Sequence, residues 1–350
     1  MVFCQSLLDR NQFRVRALTR NVDSPRAQAL REMGCEVVYA DNNDAESLRH
    51  AFRKAYGIYG ITTWSGSTFN ADGSVQRAAN LNSDVLESSE IQQGRNIIRV
   101  AETVPSLRHF ILQSMHRGGR ERPVKDNVAA PLHHRAKWAQ EDMLQRSSLA
   151  CWSILRQPTY LENFDNDDDA AKGTKLRLLR PGVVSGLLDI DVPLTVIAVN
   201  DLGVLASKMF KDRAKYARRI LRAGCARITG RRLTNTASRV NGAAKFRYKP
   251  LPWPVLEYLI PVEYPKQLKR WLTVGGNDEG VVYDAVGSDG EGEGREPVSA
   301  ADDFIAECYA LHPGMLGVDA WLRTRGVAEM ERPKSVVELL KGKTKDLTFS

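Results

Sequence analysis

The chain has 350 residues, 43% of them hydrophobic and 26% charged, enough to bury a large core as one α/β domain or two smaller ones. No apolar run reaches the roughly 18 residues of a membrane-spanning helix, so no membrane partner is expected. The net charge of +8 is spread along the chain rather than striped, which argues against direct nucleic-acid binding.

In chain order, the stretch FRVRALTRN predicts a strand over Phe13 to Leu18. Ser24-Pro25 then opens a helix that Gly34 ends, because serine caps, proline suits the first helical position and glycine terminates. EVVYAD (36–41) is a second strand. Asp44 opens a helix whose Leu48, Ala51, Phe52 and Ala55 share one face, and GIYGIT (57–62) is a third strand. The polar stretch WSGSTFNADGS predicts a loop, followed by a long helix over 84–104 with Ile91, Gly94, Ile98 and Ala101 on one face. Gly94 would let that helix approach a neighbour or a ligand closely.

RHFILQS (108–114) is a fourth strand, and HRGGRERPVKDNVAAPL a basic loop. A helix from His133 to Arg146 leads into the strand CWSILRQP. Beyond lie an acidic loop NFDNDDDAAKG, a strand-like LTVIAV, a helix from Asp201 to Phe210, and an acidic insertion DGEGEGRE (289–296). Strands alternating with amphipathic helices predict a doubly wound parallel sheet of the α/β class. Residues 1–160 read as this domain, with 194–212 returning to it; 161–193 and 213–330 read as a smaller, irregular substrate or partner subdomain, and 331–350 as a basic tail.

Five cysteines (Cys4, Cys35, Cys151, Cys225, Cys308) lack any CxxC pair, and the six histidines do not join them at ligand spacing. They predict reduced thiols, a cytoplasmic or nuclear compartment and no metal site. The opening MVFCQSLLDR lacks the basic start and long apolar centre of a signal peptide.

Doubly wound sheets bind ligands outside the carboxyl ends of their strands, so the residue types there carry the functional reading. Thr19, Arg20 and Asn21 follow the first predicted strand, where an NAD site would carry an acidic residue. A guanidinium beside a hydroxyl suits the 2′-phosphate of NADP(H), although Arg20 reads equally well as an exposed post-strand arginine. Asp41 and Asn42 suit either an adenine edge or a turn. Thr62, Thr63 and Trp64 end the third strand, with ordinary packing the competing reading for Trp64. Ser114 ends the fourth. His133 and Lys137 stand four apart on one helical face, a spacing that usually means a solvated surface pair.

The stretches FRVRALTRN, GCEVVYADNNDAESLRHAF, the ITTW strand end, EIQQGRNIIRVAE, RHFILQS, HHRAKWAQEDML, SILRQPTYLENF, VIAVNDLG and GVDAWLRTRG carry a family likeness in their order and spacing. The chain resembles the NmrA-like family, atypical members of the extended short-chain dehydrogenase superfamily, from about residue 1 to 325. The resemblance implies an NADP(H)-binding Rossmann-type fold. Thr19, Arg20 and Asn21 would meet the 2′-phosphate, and Thr62 and Trp64 would line the nicotinamide side. Ser114 would take the place of the superfamily's catalytic serine, and Lys137 that of the lysine that binds the nicotinamide ribose. The loop from Pro158 through Tyr160 and Asn163 to Phe164 would wall the substrate side.

Two departures set the expectations. The superfamily's tyrosine–lysine pair is here His133-x-x-x-Lys137, which fits cofactor-sensing members more than vigorous reductases. The family's first strand and GxxGxxG turn have no counterpart, so the chain reads as an N-terminally truncated form. That strand belongs at the middle of the sheet, and its loss would leave two neighbours with unpaired edges. The resemblance implies a redox-sensing regulator acting through a protein partner such as a transcription regulator. An NADPH-dependent reductase of a small carbonyl, quinone or ether substrate, with Lys137, Ser114 and His133 as catalytic residues, is the alternative. A scaffold that binds no cofactor is the third reading.

Overall fold

A computed structural model of the chain describes residues 2–8, 13–63, 67–69, 75–77, 83–116, 132–164, 179–180, 182–186, 190–191, 193–242, 245–250, 303–325 and 327. The first half runs α1 (Val2–Leu8), β1 (Arg16–Thr19), α2 (Pro25–Glu32), β2 (Glu36–Tyr39), α3 (Ala45–Phe52), β3 (Gly57–Gly60), β4 (Ser67–Phe69), β5 (Val75–Arg77), α4 (Ser83–Glu102), β6 (His109–Met115) and α5 (Leu132–Gln145). The second half runs β7 (Trp152–Gln157), β8 (Thr159–Tyr160), a 3-10 turn (Leu161–Phe164), β9 (Leu179–Arg180), β10 (Val183–Gly186), β11 (Leu194–Ile197), α6 (Val199–Lys211), α7 (Arg213–Tyr216), β12 (Arg219–Arg222), β13 (Ala226–Ile228), α8 (Gly230–Asn241) and β14 (Arg247–Pro250). Two further helices follow, α9 (Asp303–Leu311) and α10 (Val318–Thr324).

Local chemistry sets the early boundaries. The Ser24 hydroxyl accepts from Ala27 N at 3.2 Å, Pro25 holds the first position of α2, and Gly34 takes φ +100° beyond its end. The Asp44 carboxylate caps α3 by accepting from Glu46 N at 2.9 Å and Ser47 N at 3.3 Å. One pairing departs from expectation: β4, inside the stretch read as a loop, pairs antiparallel with β5 just beyond it. The basic loop, the acidic stretch beyond Phe164, DGEGEGRE and the 331–350 tail lie outside the described residues.

Strands β12, β7, β6 and β3 form a parallel sheet in that order, while β1 and β2 form a separate parallel pair. This is the doubly wound arrangement, divided where a strand between β1 and β3 would stand. Among the described residues, side chains span the division. The Phe13 and Tyr56 rings lie 6.0 Å apart before the two strands, and Asn42 Nδ2 donates to Ile61 O at 2.9 Å beyond them. Arg16 of β1 donates to Ala51 O at 2.7 Å and Arg53 O at 3.1 Å near the end of α3, where a cation meets free helix carbonyls.

Both faces of the larger sheet are covered, so its central strands are apolar on both sides. Phe110, Leu112 and Ile154 bury against Leu48 and Phe52 of α3, Ile97 and Ile98 of α4 and Leu144 of α5. Ile111, Leu155 and Leu221 bury on the other side with Leu202, Leu205, Met209 and Phe210 of α6. Strand β12, in the stretch assigned to the smaller subdomain, joins the main sheet beside β7.

Buried polar staples hold these layers together. His109 Nε2 lies 2.7 Å from Ser153 Oγ, which donates to Tyr216 O at 2.5 Å. Arg156 of β7 makes a two-pronged pair with Glu141 of α5 at 3.0 and 2.8 Å, both side chains fully buried. The Asp201 carboxylate accepts from His312 Nε2 at 3.0 Å and Leu316 N at 2.9 Å, tying the C-terminal segment to α6.

Candidate active site

The carboxyl end of β3 meets α4 and α5 in a buried polar cluster. Thr62, two residues past β3, has its hydroxyl 2.9 Å from Glu90 Oε1 and 3.1 Å from Gln140 Oε1. Lys137 Nζ donates to Thr62 O at 2.8 Å and Thr62 Oγ1 at 2.7 Å, and lies 3.3 Å from Glu90 Oε1. His133 Nδ1 lies 2.8 Å from Glu90 Oε2. Gln140 Nε2 donates to Glu90 O at 3.0 Å, and Gln93 Oε1 accepts from Thr63 N at 3.1 Å.

Close approach of α4 and α5 makes the cluster possible, and Gly94 permits it. A Cβ there would stand 2.3 Å from Gln140 Cγ and 2.5 Å from its Cδ. The glycine that suggested close approach thus faces the helix carrying the histidine and lysine. Of the predicted stripe, Gly94, Ile98 and Ala101 are buried and Ile91 is half-buried, and Glu90, Gln93 and Ile97 join them on the buried face.

Glu90 is fully buried, and Lys137 is 3% exposed. Burial alone would raise the Glu90 carboxyl, but the His133 hydrogen bond, the charges of His133 and Lys137 and the Thr62 hydroxyl outweigh it, leaving the group below its usual range. Lys137 has only one carboxylate against its burial, so burial prevails and its ammonium is held below the ordinary lysine value. The pair usually seen on a solvated helix face is here half of an interior ionic network, and His133, with its side chain 21% exposed, is the member nearest solvent.

The remaining expected residues divide by role. Thr19 Oγ1 accepts from Asn21 N at 3.2 Å, and Asn21 Oδ1 accepts from Asp23 N at 3.0 Å, so both shape the turn after β1; Arg20 is exposed on it. Asp41 Oδ1 accepts from Asn43 N at 2.8 Å as a turn-former, while Asn42 reaches across to the β3 end. Ser114 is fully buried, and its Oγ has no hydrogen-bond partner. Pro158 is buried and Asn163 exposed, whereas the Tyr160 hydroxyl joins a network with Gln157 and with Gln113 Nε2 at 3.0 Å. That network extends to Tyr59, which belongs to the α6 face of the sheet, and burial raises the Tyr160 phenol. Trp64 lies outside the described residues.

Among the described residues, no three His, Cys, Asp or Glu side chains are placed to hold a metal ion. No glycine-rich phosphate cradle lies among them either.

A doubly wound parallel sheet with its polar cluster at the strand ends defines a Rossmann-type protein. A profile of the NmrA-like family matches residues 2–290, and the chain belongs to that family. One curated relative, an NmrA-like family domain-containing oxidoreductase of Aspergillus hancockii, is 33% identical over 110 residues, which are 31% of this chain and 28% of that protein. The match therefore spans under a third of the relative's length. Among solved structures, the triphenylmethane reductase of Citrobacter sp. superposes with a TM-score of 0.63 at 16% identity, covering 94% of this chain and 95% of that one. NmrA, a negative transcriptional regulator, superposes with a TM-score of 0.62 at 16% identity, covering 95% and 90%. At that identity the likeness establishes the fold.

Proposed function

We propose that the chain is an NADP(H)-binding reductase acting on a small carbonyl, quinone or ether substrate. The observation that carries this reading is the convergence of Thr62, His133 and Lys137, from two distant segments, on the single buried carboxylate of Glu90. An ionised network beside a partly exposed histidine suits proton transfer. Relatives named as oxidoreductases, and a structural neighbour described as a triphenylmethane reductase complexed with NADP(H), point the same way.

The residues present fit the two ends of a nicotinamide dinucleotide. Arg20 on the exposed turn after β1 suits the 2′-phosphate, and the unpartnered Ser114 hydroxyl with Thr62 and Thr63 suits the nicotinamide end. When bound, the cofactor supplies the hydride. This chain's own residues orient the substrate and supply the proton.

A second reading, a redox sensor that reports cofactor state to a protein partner, is favoured by one feature. Lys137 Nζ donates twice to Thr62 and pairs with Glu90 at 3.3 Å, contacts that turn the lysine inward, away from a chemical role. Calorimetric titration distinguishes both readings from a non-binding scaffold. NADPH is expected to bind about tenfold or more tightly than NADH, with Arg20→Ala removing most of the difference. Absence of binding by either nucleotide would support the scaffold.

A further inference from the structure

Resting on the reductase reading, we propose that Glu90 is a positioning residue that fixes the tautomer of His133, so that His133 rather than Lys137 hands the proton to the substrate. In the conventional superfamily arrangement the lysine acts directly beside the proton donor. Here a carboxylate stands between them. Glu90 Oε1 takes the Thr62 hydroxyl at 2.9 Å and faces Lys137 at 3.3 Å, while Oε2 faces His133 Nδ1 at 2.8 Å. A carboxylate only accepts, so Nδ1 carries a hydrogen, and in this proposal Nε2 is the nitrogen that carries the transferred proton.

Two observations separate the histidine from the lysine. Lys137 is 3% exposed, donates to Thr62 and is paired with Glu90, whereas the His133 side chain is 21% exposed, within reach of water. Glu90 is also placed to balance the positive charge of the ring while it holds the proton, as a buried carboxylate does behind a catalytic histidine. Among the described residues the His134 ring stands beside that of His133 in edge geometry, with centroids 6.0 Å apart. In the transfer, the Nε2–H bond breaks, an O–H bond forms on the substrate oxygen and the N–H electron pair stays on the ring; a bound nicotinamide cofactor would supply the hydride for the substrate carbon. Water then reprotonates Nε2.

The test uses the full chain labelled with 15N-histidine, free of cofactor, in mildly alkaline buffer. His133 is expected to show a protonated Nδ1 and a bare Nε2. In Glu90→Gln, Lys137 and Thr62 hold the amide oxygen in the Oε1 place, which sets the amide NH2 against Nδ1. That nitrogen must then accept, and the tautomer ratio is expected to invert by about tenfold or more. A wild-type ring with its hydrogen on Nε2, or an unchanged ratio in Glu90→Gln, would overturn the proposal. If Glu90→Gln does not fold, the wild-type spectrum decides alone. A ring protonated on Nδ1 in a chain that binds NADPH but reduces no substrate would instead overturn the reductase reading and the proton transfer, leaving the tautomer assignment standing.

Discussion

Glu90→Ala is expected to lose about 3–5 kcal/mol of folding stability, among the largest single effects in the molecule. The substitution removes the carboxylate facing Lys137, which is 3% exposed, and the acceptor for His133 Nδ1. It also frees the Thr62 hydroxyl from its nearer acceptor. Removing one partner of a buried ion pair strands the other charge, whereas removing both costs far less. The double variant Glu90→Gln/Lys137→Met keeps the volume and discards both charges, so it should recover most of the loss. Urea unfolding at neutral pH measures both. A single variant within about 1 kcal/mol of the parent would mean that the cluster is not a buried ionic network.

His109 gives the second large effect, read through pH. Burial, with a smaller contribution from the Arg213 charge, lowers its imidazole from the ordinary 6.5 to about 4. The folded chain therefore keeps this ring neutral where the unfolded chain protonates it. Between those values the unfolded state binds more protons, so stability is fully present above pH 6.5 and is lost as pH falls towards about 4. The full loss amounts to about 3 kcal/mol. His109→Leu removes the titration together with a buried Nδ1 that has no hydrogen-bond partner. Urea midpoints measured across this window should fall more steeply for the parent than for His109→Leu. Parallel pH profiles would contradict the assignment.

The fold was legible because its signals are local. Ser24-Pro25, Gly34 and Asp44 fix helix ends by backbone chemistry, and Phe110 to Leu112 alternate between two covered faces as a buried parallel strand must. Strand β12 was not legible: RAKYARRILRAG carries the charge pattern of an amphipathic helix, and only pairing with β7 makes its last part a strand. The β4–β5 hairpin sits in a polar stretch with no apolar alternation to announce it.

The candidate site was half legible. Thr62, His133 and Lys137 were named from strand ends and an i, i+4 spacing, but Glu90, which joins them, was not. A glutamate on a long helix reads as solvated, and its burial depends on α5 packing against α4 at Gly94. The available signal was its position four residues before that glycine and seven before Ile97, on the face that proved buried. Arg156 and Glu141 escaped for the same reason: each charge looks exposed until its partner across the β7–α5 contact is known.

The most direct test of the account follows NADPH consumption by the full chain with a panel of small quinones and carbonyls, alongside His133→Ala. The account predicts turnover by the parent and a loss of about a hundredfold or more in kcat for the variant, with NADPH binding retained. Turnover that survives His133→Ala undiminished, or a parent that consumes no NADPH with any of these substrates, would contradict it.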